Sequence, residues 1–301
     1  MDYKKIFKNR ELRLKLINCL RFIPAKPYLK LVYRIKAGKK LNLKNPVTFC
    51  DKQNWLKLHE IHPEYTELVD KIAVREYIKE ILGEEYLFPI YGNWEHFNQI
   101  DFDKLPDKFV LKCNHDSGSV KVVTDKSKID KNELEKFFED RLKLNPYVFG
   151  REYPYKNVKP CIMAEKFMTP DGEEDINDYK FFCFNGKPEI MFIATDRSTD
   201  VKFDFFDMDF NHLDIVNIHE QSGVEIEKPK MFDEMKEIAT RISQGMKFVR
   251  IDLYEISGKI YFGEFTFFHG GGFWPMAPEK WEYELGKLID ISKWKGEFSE
   301  I

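Results

Sequence analysis

The sequence lacks any apolar stretch long enough to cross a membrane. Its longest purely apolar runs, such as residues 190–194, are about a quarter of the roughly 20 residues that a membrane helix needs. The N-terminus also lacks the apolar core of a signal peptide, because Arg13, Lys15 and Arg21 interrupt it. We therefore expect a cytoplasmic protein, and peripheral contact with the inner membrane face stays open.

The cysteine pattern of a disulfide-bonded or zinc-binding protein is missing as well. The chain has 5 cysteines, an odd number, and none of them forms a C-x-x-C pair. We expect reduced cytoplasmic thiols. His59 and His62 are spaced as i and i+3 on a predicted helix but have no third ligand, so we expect surface or packing roles for both.

Acidic residues are scarce in the N-terminal part of the sequence. Residues 1–44 contain only Asp2 and Glu11 as acids among many lysines and arginines, although the whole chain has a net charge of −3. A basic arm on an acidic body predicts contact with an anionic surface such as lipid headgroups. No nucleic-acid module is visible, so we expect no nucleic-acid partner. The alternative is a basic helix pair packed on the acidic remainder.

Helical and strand patterns interleave along the chain, which predicts an α+β fold with two lobes and largely antiparallel sheets. Asn185-Gly186 is a strong hairpin turn. Thr48 is expected to cap one helix, and Asp130 with Glu133 to form a capping box on another. The predicted helices are 3–22, 28–36, 49–59, 66–82, 130–143, 229–246 and 279–291. The predicted strands are 86–91, 108–113, 120–124, 161–168, 178–185, 188–195, 202–207 and a hairpin at 249–267.

The C-terminal hairpin concentrates charge on one face. A three-residue loop at 257–259 would place Asp252 opposite Glu264 and Arg250 opposite Thr266. Facing carboxylates repel each other, unless a divalent cation and an anionic ligand such as a phosphate lie between them. This face predicts an enzyme of the nucleotide–magnesium kind.

Two alternatives to this hairpin hypothesis stay open. The face could be solvated, with Arg250 neutralising Asp252 as an ordinary surface ion pair. A loop of two residues instead of three would shift the register and put Asp252 and Glu264 on opposite faces.

A second candidate element is the polar loop that follows a strand ending in Lys112. Its sequence, Cys113 to Ser119, contains a glycine and two serines and leads directly into another strand. Glycine lets backbone N–H groups approach a phosphate, and Lys112 would act as a point charge. The alternative is an ordinary hairpin turn.

Two later strands carry candidate nucleotide contacts. Glu165 could accept a hydrogen bond from an adenine amine, while backbone groups of Lys166 and Met168 read the edge of the ring. Asp178 could bind ribose hydroxyls or orient Lys180 toward phosphate. Each fragment could also be a simple ion pair at a strand end.

The segment 269–272, His-Gly-Gly-Gly, is similar to the oxyanion loop of lipases. That function requires a G-x-S-x-G nucleophile elbow, which this sequence does not contain. We therefore expect a flexible loop beside the metal that exposes backbone N–H groups to an acyl phosphate or a carboxylate.

The order of these fragments resembles the ATP-grasp superfamily over about residues 66–275. The wording of residues 178–188 and 263–266 is similar to its TupA-like branch, which is associated with teichuronopeptide and other bacterial surface polysaccharides. One position departs from the family pattern: Thr266 stands where ATP-grasp enzymes usually have Asn.

The resemblance implies a role for each matching residue. The phosphate-binding cations would be Arg75 and Lys112, the flap Ser117, Gly118 and Ser119, and the adenine hinge Glu165, Lys166 and Met168. Asp178 with Lys180 would contact ribose or phosphate, Arg250 would steady the transferring phosphoryl group, and Asp252, Glu264 and Thr266 would hold Mg²⁺.

The implied activity is an ADP-forming carboxylate–amine ligase that uses ATP and Mg²⁺ and passes through an acyl phosphate. The implied partners are an amino acid and a uronic-acid glycan or its lipid-linked precursor. We add Arg151, Arg197 and His269 as substrate-binding candidates. We expect a basic helical segment at 1–65, a small lobe at 66–165 and a C-terminal lobe with the metal site at 166–301.

Two other functions remain open at this stage. Asp207-Met208-Asp209 follows a buried strand and fits the D-x-D pattern of metal-dependent glycosyltransferases. That hypothesis does not account for Lys112, Glu165 or Arg250. A non-catalytic nucleotide-binding scaffold is the other alternative.

Overall fold

A computed structural model describes residues 20–169, 176–196 and 199–292. Most of the helix predicted at 3–22 and the candidate Arg197 lie outside these residues. The helices are α1 (Ala25–Ala37), α2 (Phe49–His59), α3 (Tyr65–Val69), α4 (Val74–Ile81), α5 (Lys131–Leu142), α6 (Tyr147–Gly150), α7 (Phe232–Ile242) and α8 (Lys280–Leu288). The strands are β1 (Ile90–Trp94), β2 (Phe109–Cys113), β3 (Val120–Val123), β4 (Ile162–Lys166), β5 (Asp178–Phe184), β6 (Lys187–Thr195), β7 (Lys202–Asp207), β8 (His212–Leu213), β9 (Phe248–Ile256) and β10 (Lys259–Thr266).

Two antiparallel sheets organise the described chain. The smaller has the order β1-β4-β2-β3, and the larger has the order β10-β9-β5-β6-β7-β8. Each sheet packs on its own cluster of buried apolar residues. The prediction of an α+β fold with mostly antiparallel sheets is confirmed. The proposed boundaries 1–65, 66–165 and 166–301 stay predictions.

Phenylalanine fills the core of the larger sheet. Phe182 is fully buried on β5, and its ring lies 5.8 Å from that of Phe248 on β9 and 5.9 Å from that of Phe192 on β6. Phe49 at the start of α2 completes this group, 5.0 Å from Phe248. Each such ring contributes about 1.5–3 kcal/mol by burial, so this packing fixes strands β5 and β9 relative to each other.

The sequence predicted the first residues of two helices correctly from their capping residues. The hydroxyl oxygen of Thr48 accepts a hydrogen bond from the backbone N–H of Asp51 at 3.2 Å, and the Asp51 carboxylate accepts one from the backbone N–H of Thr48 at 3.4 Å. Asp130 caps α5 by accepting from the backbone N of Glu133 at 3.1 Å. The second bond of the predicted capping box, from the backbone N–H of Asp130 to the Glu133 carboxylate, does not form, and this carboxylate lies 3.4 Å from the ammonium of Lys121 on β3 instead.

The single helix predicted at 66–82 is instead two helices, α3 and α4, joined by a turn. Asp70 makes this turn, because its carboxylate accepts the backbone N–H of Ile72 at 2.9 Å. The same oxygen accepts the Asn114 side-chain amide at 2.9 Å. An Asp that bonds to its own backbone competes with the helix. The break orients Lys71 toward the larger sheet, as described below.

The C-terminal hairpin has a two-residue turn, not the expected three-residue loop. Ser257 and Gly258 have φ of 51° and 72°, and Lys259 pairs with Ile256. This register alone would put Asp252 and Glu264 on opposite faces. A β-bulge between Phe262 and Glu264 adds one residue and restores the pairing of Asp252 with Glu264. The predicted facing pair is confirmed, although the predicted loop was wrong.

None of the helices within the described residues is long and apolar enough to cross a membrane.

Candidate active site

A buried guanidinium lies at the centre of the charged hairpin face. Arg250 Nε and Nη2 each lie 2.6 Å from a carboxylate oxygen of Asp252, which is a two-pronged ion pair. Nη2 also lies 3.4 Å from Oε1 of Glu264. Asp252 is only 1% exposed, whereas the side chain of Glu264 is 31% exposed. The face is therefore not a solvated surface, and Arg250 pairs with both acids.

Two lysines complete the charge balance. On β5, Lys180 Nζ lies 2.6 Å from Oδ2 of Asp178 and also contacts the carboxylate of Asp252. Lys71, between α3 and α4, lies with its Nζ 3.6 Å from Oε2 of Glu264. The network thus pairs three cationic side chains with three carboxylates. Lys71 was missed in the sequence, although it belongs to the same 70–75 segment as Arg75.

Burial by itself would raise the pKa of Asp252. The charges and hydrogen bonds of Arg250 and Lys180 outweigh burial and lower this pKa below its usual range. Asp252 therefore stays ionised at neutral pH, as a ligand for a cation must.

His269 positions Arg250 and does not face a substrate. It is 2% exposed, and burial together with the charge of Arg250 holds its pKa well below the usual range. Neutral His269 accepts from Arg250 Nη1 at Nδ1 (3.1 Å) and donates from Nε2 to Oδ1 of Asn217 (2.8 Å). The prediction that His269 binds substrate is replaced by this positioning role.

The oxygen donors of the hairpin fit a hard divalent cation that is also bound by phosphate. Asp252 and Glu264 face each other, and the hydroxyl of Thr266 lies 3.5 Å from Oε1 of Glu264. Among the described residues, no group of three or more His, Cys, Asp or Glu side chains is arranged to hold a metal. Mg²⁺ commonly takes one or two carboxylates and completes its shell with water and substrate phosphates, so the two acids fit that pattern.

The predicted nucleotide contacts of the smaller sheet converge. Lys112 on β2 and Glu165 on β4 point to the same side, with Nζ 2.6 Å from Oε2 and little exposure of either side chain. Arg75 on α4 donates from Nη1 to the carbonyl of Phe88 at 2.9 Å. Burial lowers the pKa of Arg75, and the nearby charge of Glu165 opposes that shift. Two cations and the hinge carboxylate therefore lie close together.

The backbone of strand β4, which carries the predicted adenine hinge, is already hydrogen-bonded at Lys166. The backbone N of Lys166 donates to the carbonyl of Pro89 at 2.8 Å, so this N–H is already used by the protein. The Lys166 side chain is exposed and Met168 is half-buried. The contact of Lys166 and Met168 with an adenine ring stays a prediction.

The loop 113–119 is closed at its base and exposed at its tip. The backbone N of Cys113 donates to the carbonyl of Ser119 at 3.1 Å. Ser117 and Gly118 are exposed, with Gly118 at φ 90°. Ser119, in contrast, is buried and donates its hydroxyl to the carboxylate of Asp116. Ser119 therefore shapes the loop, while Ser117 and Gly118 present donors to solvent.

Lys71 connects this loop to Glu264. Its Nζ donates to the carbonyl of Asp116 at 2.8 Å while it approaches Glu264. One side chain therefore joins the loop of the smaller sheet to the hairpin of the larger sheet.

A cavity of about 410 Å³ opens between the loop and the hairpin. Arg250, Glu264 and Thr266 form one wall, and Ser117 lies at its rim. Glu152, in the segment after α6, also lines it and was missed in the sequence. Its neighbours there come from distant parts of the chain, so no local pattern could have singled it out.

The 269–272 loop is tied to a neighbouring segment by Lys57. The three glycines Gly270, Gly271 and Gly272 all have positive φ, between 57° and 65°. Buried Lys57 donates to the carbonyl of Gly271 at 2.6 Å and to that of Gly150 at 2.9 Å. Burial lowers the pKa of Lys57 to about 8. The loop therefore borders the cavity and is bonded to the segment that carries Glu152.

Arg151 has a structural role. Its Nη2 donates to the carbonyls of Leu20 at 2.9 Å and Ile23 at 3.2 Å, and its guanidinium lies 3.9 Å from the ring centre of Tyr28. It is 3% exposed. The structure thus directs Arg151 toward the start of α1 and not toward the cavity.

The D-x-D segment forms a turn between β7 and β8. Asp207 Oδ1 accepts the backbone N–H of Asp209 at 2.9 Å and that of Asn211 at 2.8 Å. An Asp that bonds the backbone two residues ahead is a turn former. The turn explains the D-x-D pattern, so the pattern does not require a role in binding a nucleotide sugar.

Two α+β lobes with antiparallel sheets, a polar loop over a cavity and a carboxylate pair on the facing hairpin define an ATP-grasp protein. A family model described as TupA-like ATPgrasp matches residues 51–290, and the chain belongs to this family. No curated protein matches the chain.

Solved structures with a similar fold include several ligases. A D-alanine–D-alanine ligase from Bacillus anthracis complexed with ATP is 17% identical, with 66% of this chain and 53% of that chain covered and a TM-score of 0.38. A RimK domain ATP-grasp protein from Sphaerobacter thermophilus is 12% identical, with 75% and 69% covered and a TM-score of 0.40. The ATP-grasp ligase PsnB, complexed with minimal precursor, Mg and ADP, is 10% identical, with 68% and 52% covered and a TM-score of 0.38. The match spans about half the length of the first and third of these proteins.

Proposed function

We propose that this protein is an ATP- and Mg²⁺-dependent carboxylate–amine ligase. The observation that carries this proposal is the Arg250–Asp252–Glu264 cluster on the larger sheet, whose Arg250 and Glu264 line the cavity. Lys112, on the smaller sheet, is a further cation for a polyphosphate. A polyanion and a divalent cation account for this charge arrangement better than a neutral ligand does.

Each charged residue has a role in this proposal. Asp252 and Glu264 would hold Mg²⁺, which supplies positive charge to the ATP phosphates when bound. Lys180 and Lys71 release their carboxylate partners and bind phosphate oxygens as point charges. Arg250 stays buried and stabilises the charge of the transferring phosphoryl group.

The reaction has two steps. An oxygen of the donor carboxylate attacks the γ-phosphorus, the bond to the bridging oxygen breaks, and ADP leaves with that electron pair. An amine then displaces phosphate from the acyl phosphate and forms an amide. Closure of the loop 113–119 over the cavity would exclude water from the acyl phosphate and protect it from hydrolysis.

We propose a uronic-acid glycan or its lipid-linked precursor as the carboxylate donor and an amino acid as the amine. Membership of the TupA-like family supports this choice, because that branch is associated with bacterial surface polysaccharides. The cavity is open toward solvent between the lobes, which suits a donor carboxylate at the end of a larger glycan.

Nucleotide preference and co-substrate dependence test the proposal. The protein should bind a non-hydrolysable ATP analogue with Mg²⁺ by calorimetry and release ADP only when a uronate and an amine are both supplied. EDTA should abolish ADP release because the two carboxylates need the cation. Binding of UDP-sugars without binding of the ATP analogue would overturn the proposal in favour of a glycosyltransferase. ATP-analogue binding without ADP release under any substrate pair would favour a non-catalytic scaffold.

We also propose that α1 contacts an anionic membrane surface. One face of this helix packs into the core through Tyr28 and Leu29. Its outer face exposes Leu31 (44%) and Ile35 (50%), and three exposed cations, Lys26, Lys30 and Arg34, flank them. Apolar side chains between basic ones are typical of helices that lie in the lipid interface.

Vesicle co-sedimentation tests the membrane contact. Changing Lys26, Lys30 and Arg34 to Glu should weaken binding to phosphatidylglycerol vesicles by at least about 100-fold, since each cation contributes about 1 kcal/mol. A matched triple change of the exposed Lys104, Lys128 and Lys143 on the smaller lobe should have little effect. Equal losses in both variants would show that only net charge matters.

A further inference from the structure

The cavity beside the carboxylate pair carries two charges that the phosphate chemistry does not use. Arg141 at the end of α5 and Glu152 after α6 both line it. They come from different segments, and the cavity also contains Arg250 and Glu264 of the reacting centre. A ligand that reaches both Arg141 and Glu152 therefore lies next to the transferred phosphoryl group.

The side chain of Arg141 is available to a ligand. Within the described residues it has no ion pair or hydrogen bond, and its one aromatic contact is the ring of Phe137 at 5.2 Å. Arg141 is half-buried, so its guanidinium is partly desolvated on the cavity wall. A guanidinium in such a position matches a carboxylate in charge and in two-pronged geometry.

The carboxylate of Glu152 lies against the 269–272 loop, where the charges of Lys57 and Lys36 act on it. Its Oε1 lies 3.3 Å from the position that a Cβ on Gly271 would occupy, so glycine there lets the carboxylate lie against the loop. Lys57 fixes both Gly150 and Gly271 from behind. Burial raises the pKa of Glu152, although the charges of Lys57 and Lys36 oppose that shift. A carboxyl group with a raised pKa accepts a proton more readily than one in water.

Two further acids line the cavity among the described residues, and both are already engaged: Glu264 is paired with Arg250 and Lys71, and Asp116 binds within its own loop. Ser119 donates its hydroxyl to Oδ2, and Oδ1 is closed off from solvent. Glu152 is therefore the acid best placed to meet an incoming ammonium group.

We propose that Arg141 and Glu152 form the subsite for the amine substrate and that this substrate is a free amino acid. Arg141 binds its carboxylate, and Glu152 binds its ammonium group. Apolar walls from Leu144, Phe149 and Phe268 receive its side chain. This inference rests on the proposed ligase function and assigns the amine side of that reaction to two residues.

The subsite also gives the amine a route to its reactive form. The ammonium group transfers one proton to the carboxylate of Glu152, which leaves a neutral amine with a free electron pair. That pair forms the new C–N bond at the acyl carbon, while the C–O bond to phosphate breaks and its electrons leave with the phosphate. The second proton passes from nitrogen to the departing phosphate, and Glu152 returns its proton to solvent.

The test compares free L-amino acids with their carboxamides, which keep the ammonium group and lack the carboxylate. Binding is measured by calorimetry in the presence of Mg²⁺ and a non-hydrolysable ATP analogue, and ADP release is measured separately. Wild type should bind at least one amino acid about 10- to 100-fold more tightly than its carboxamide, which is the effect of one charged hydrogen-bonded contact. R141M should lose this preference by weakening acid binding and leaving carboxamide binding unchanged.

The remaining variants separate the two halves of the subsite. K143M changes an exposed lysine two residues away and should behave as wild type. E152Q keeps the size of the side chain but should lower kcat for ADP release by roughly 10²- to 10⁴-fold, the usual effect of losing a general base. R141M should mainly raise the KM for the amino acid and affect kcat less.

The outcomes are distinct from those that test the ligase itself. If ADP release with amino acids is normal in R141M and E152Q, the subsite assignment is wrong while the ligase function stands. If no free amino acid binds or promotes ADP release, although the ATP analogue binds, the amino-acid inference is overturned. Failure of the wild type to bind the ATP analogue would instead overturn the proposed function.

Discussion

Asp252→Asn should reduce ATP turnover by about 10²- to 10³-fold, the effect seen when one preorganised charge partner of a transition state is removed. Asp252 is buried, ionised and bonded by two cations, so its charge cannot be replaced by water. The amide would leave Arg250 and Lys180 with excess positive charge and would weaken Mg²⁺ binding. The measurement is steady-state ADP release with Mg²⁺ varied over a wide range.

The same substitution should lower the free energy of unfolding by about 3 kcal/mol, because it removes one partner from a buried ion network. Denaturant unfolding separates this loss from the loss of catalysis. Binding of the ATP analogue without Mg²⁺ should be retained, which shows that the variant is folded under assay conditions.

Asp207→Asn is the matched control for this experiment. Asp207 belongs to the D-x-D turn, where an Asn oxygen can still accept the backbone N–H groups of Asp209 and Asn211. ATP turnover should therefore stay close to that of wild type. The reverse result, in which Asp207→Asn loses ATP turnover and Asp252→Asn keeps it, would move the metal site from the hairpin to the D-x-D segment.

Local chemistry made some elements predictable. Thr48 and Asp130 were identifiable as helix caps because a cap depends on residues within one turn of itself. The strands of the larger sheet were identifiable because their apolar runs are bounded by turn residues such as Asn185 and Gly186. Asp70 misled the prediction, because helical spacing continues past it while its side chain breaks the helix by bonding to the backbone.

The part of the site that depends on distant residues could not be read from the sequence. Lys71 meets Glu264 only because the turn after α3 aims it across the cleft between the sheets. Glu152 lies against Gly271 only because Lys57 ties both segments together. These contacts join residues that are far apart in the chain, and neither hydrophobic period nor spacing encodes them.

Gly263→Val should cost about 3 kcal/mol in the free energy of unfolding and reduce ATP turnover by at least 10²-fold. A Cβ at this position would lie 2.7 Å from the Tyr254 ring and 3.0 Å from the carbonyl oxygen of Asp252. The bulge cannot accept that atom without moving the backbone that carries Asp252. The alternative is to lose the bulge, and Glu264 then turns to the face opposite Asp252. Denaturant unfolding and ADP release measure the two effects.

Gly258→Asn is the control in the same hairpin. Gly258 has φ of 72° and open space where a Cβ would stand, and Asn tolerates this left-handed region. It should change stability by less than about 1 kcal/mol and leave turnover unchanged. A Gly263→Val protein with wild-type turnover would show that the metal site does not depend on the pairing of Asp252 with Glu264. If Gly263→Val alone loses turnover, the bulge is what brings the two carboxylates together. The two-residue turn by itself would place them on opposite faces of the hairpin.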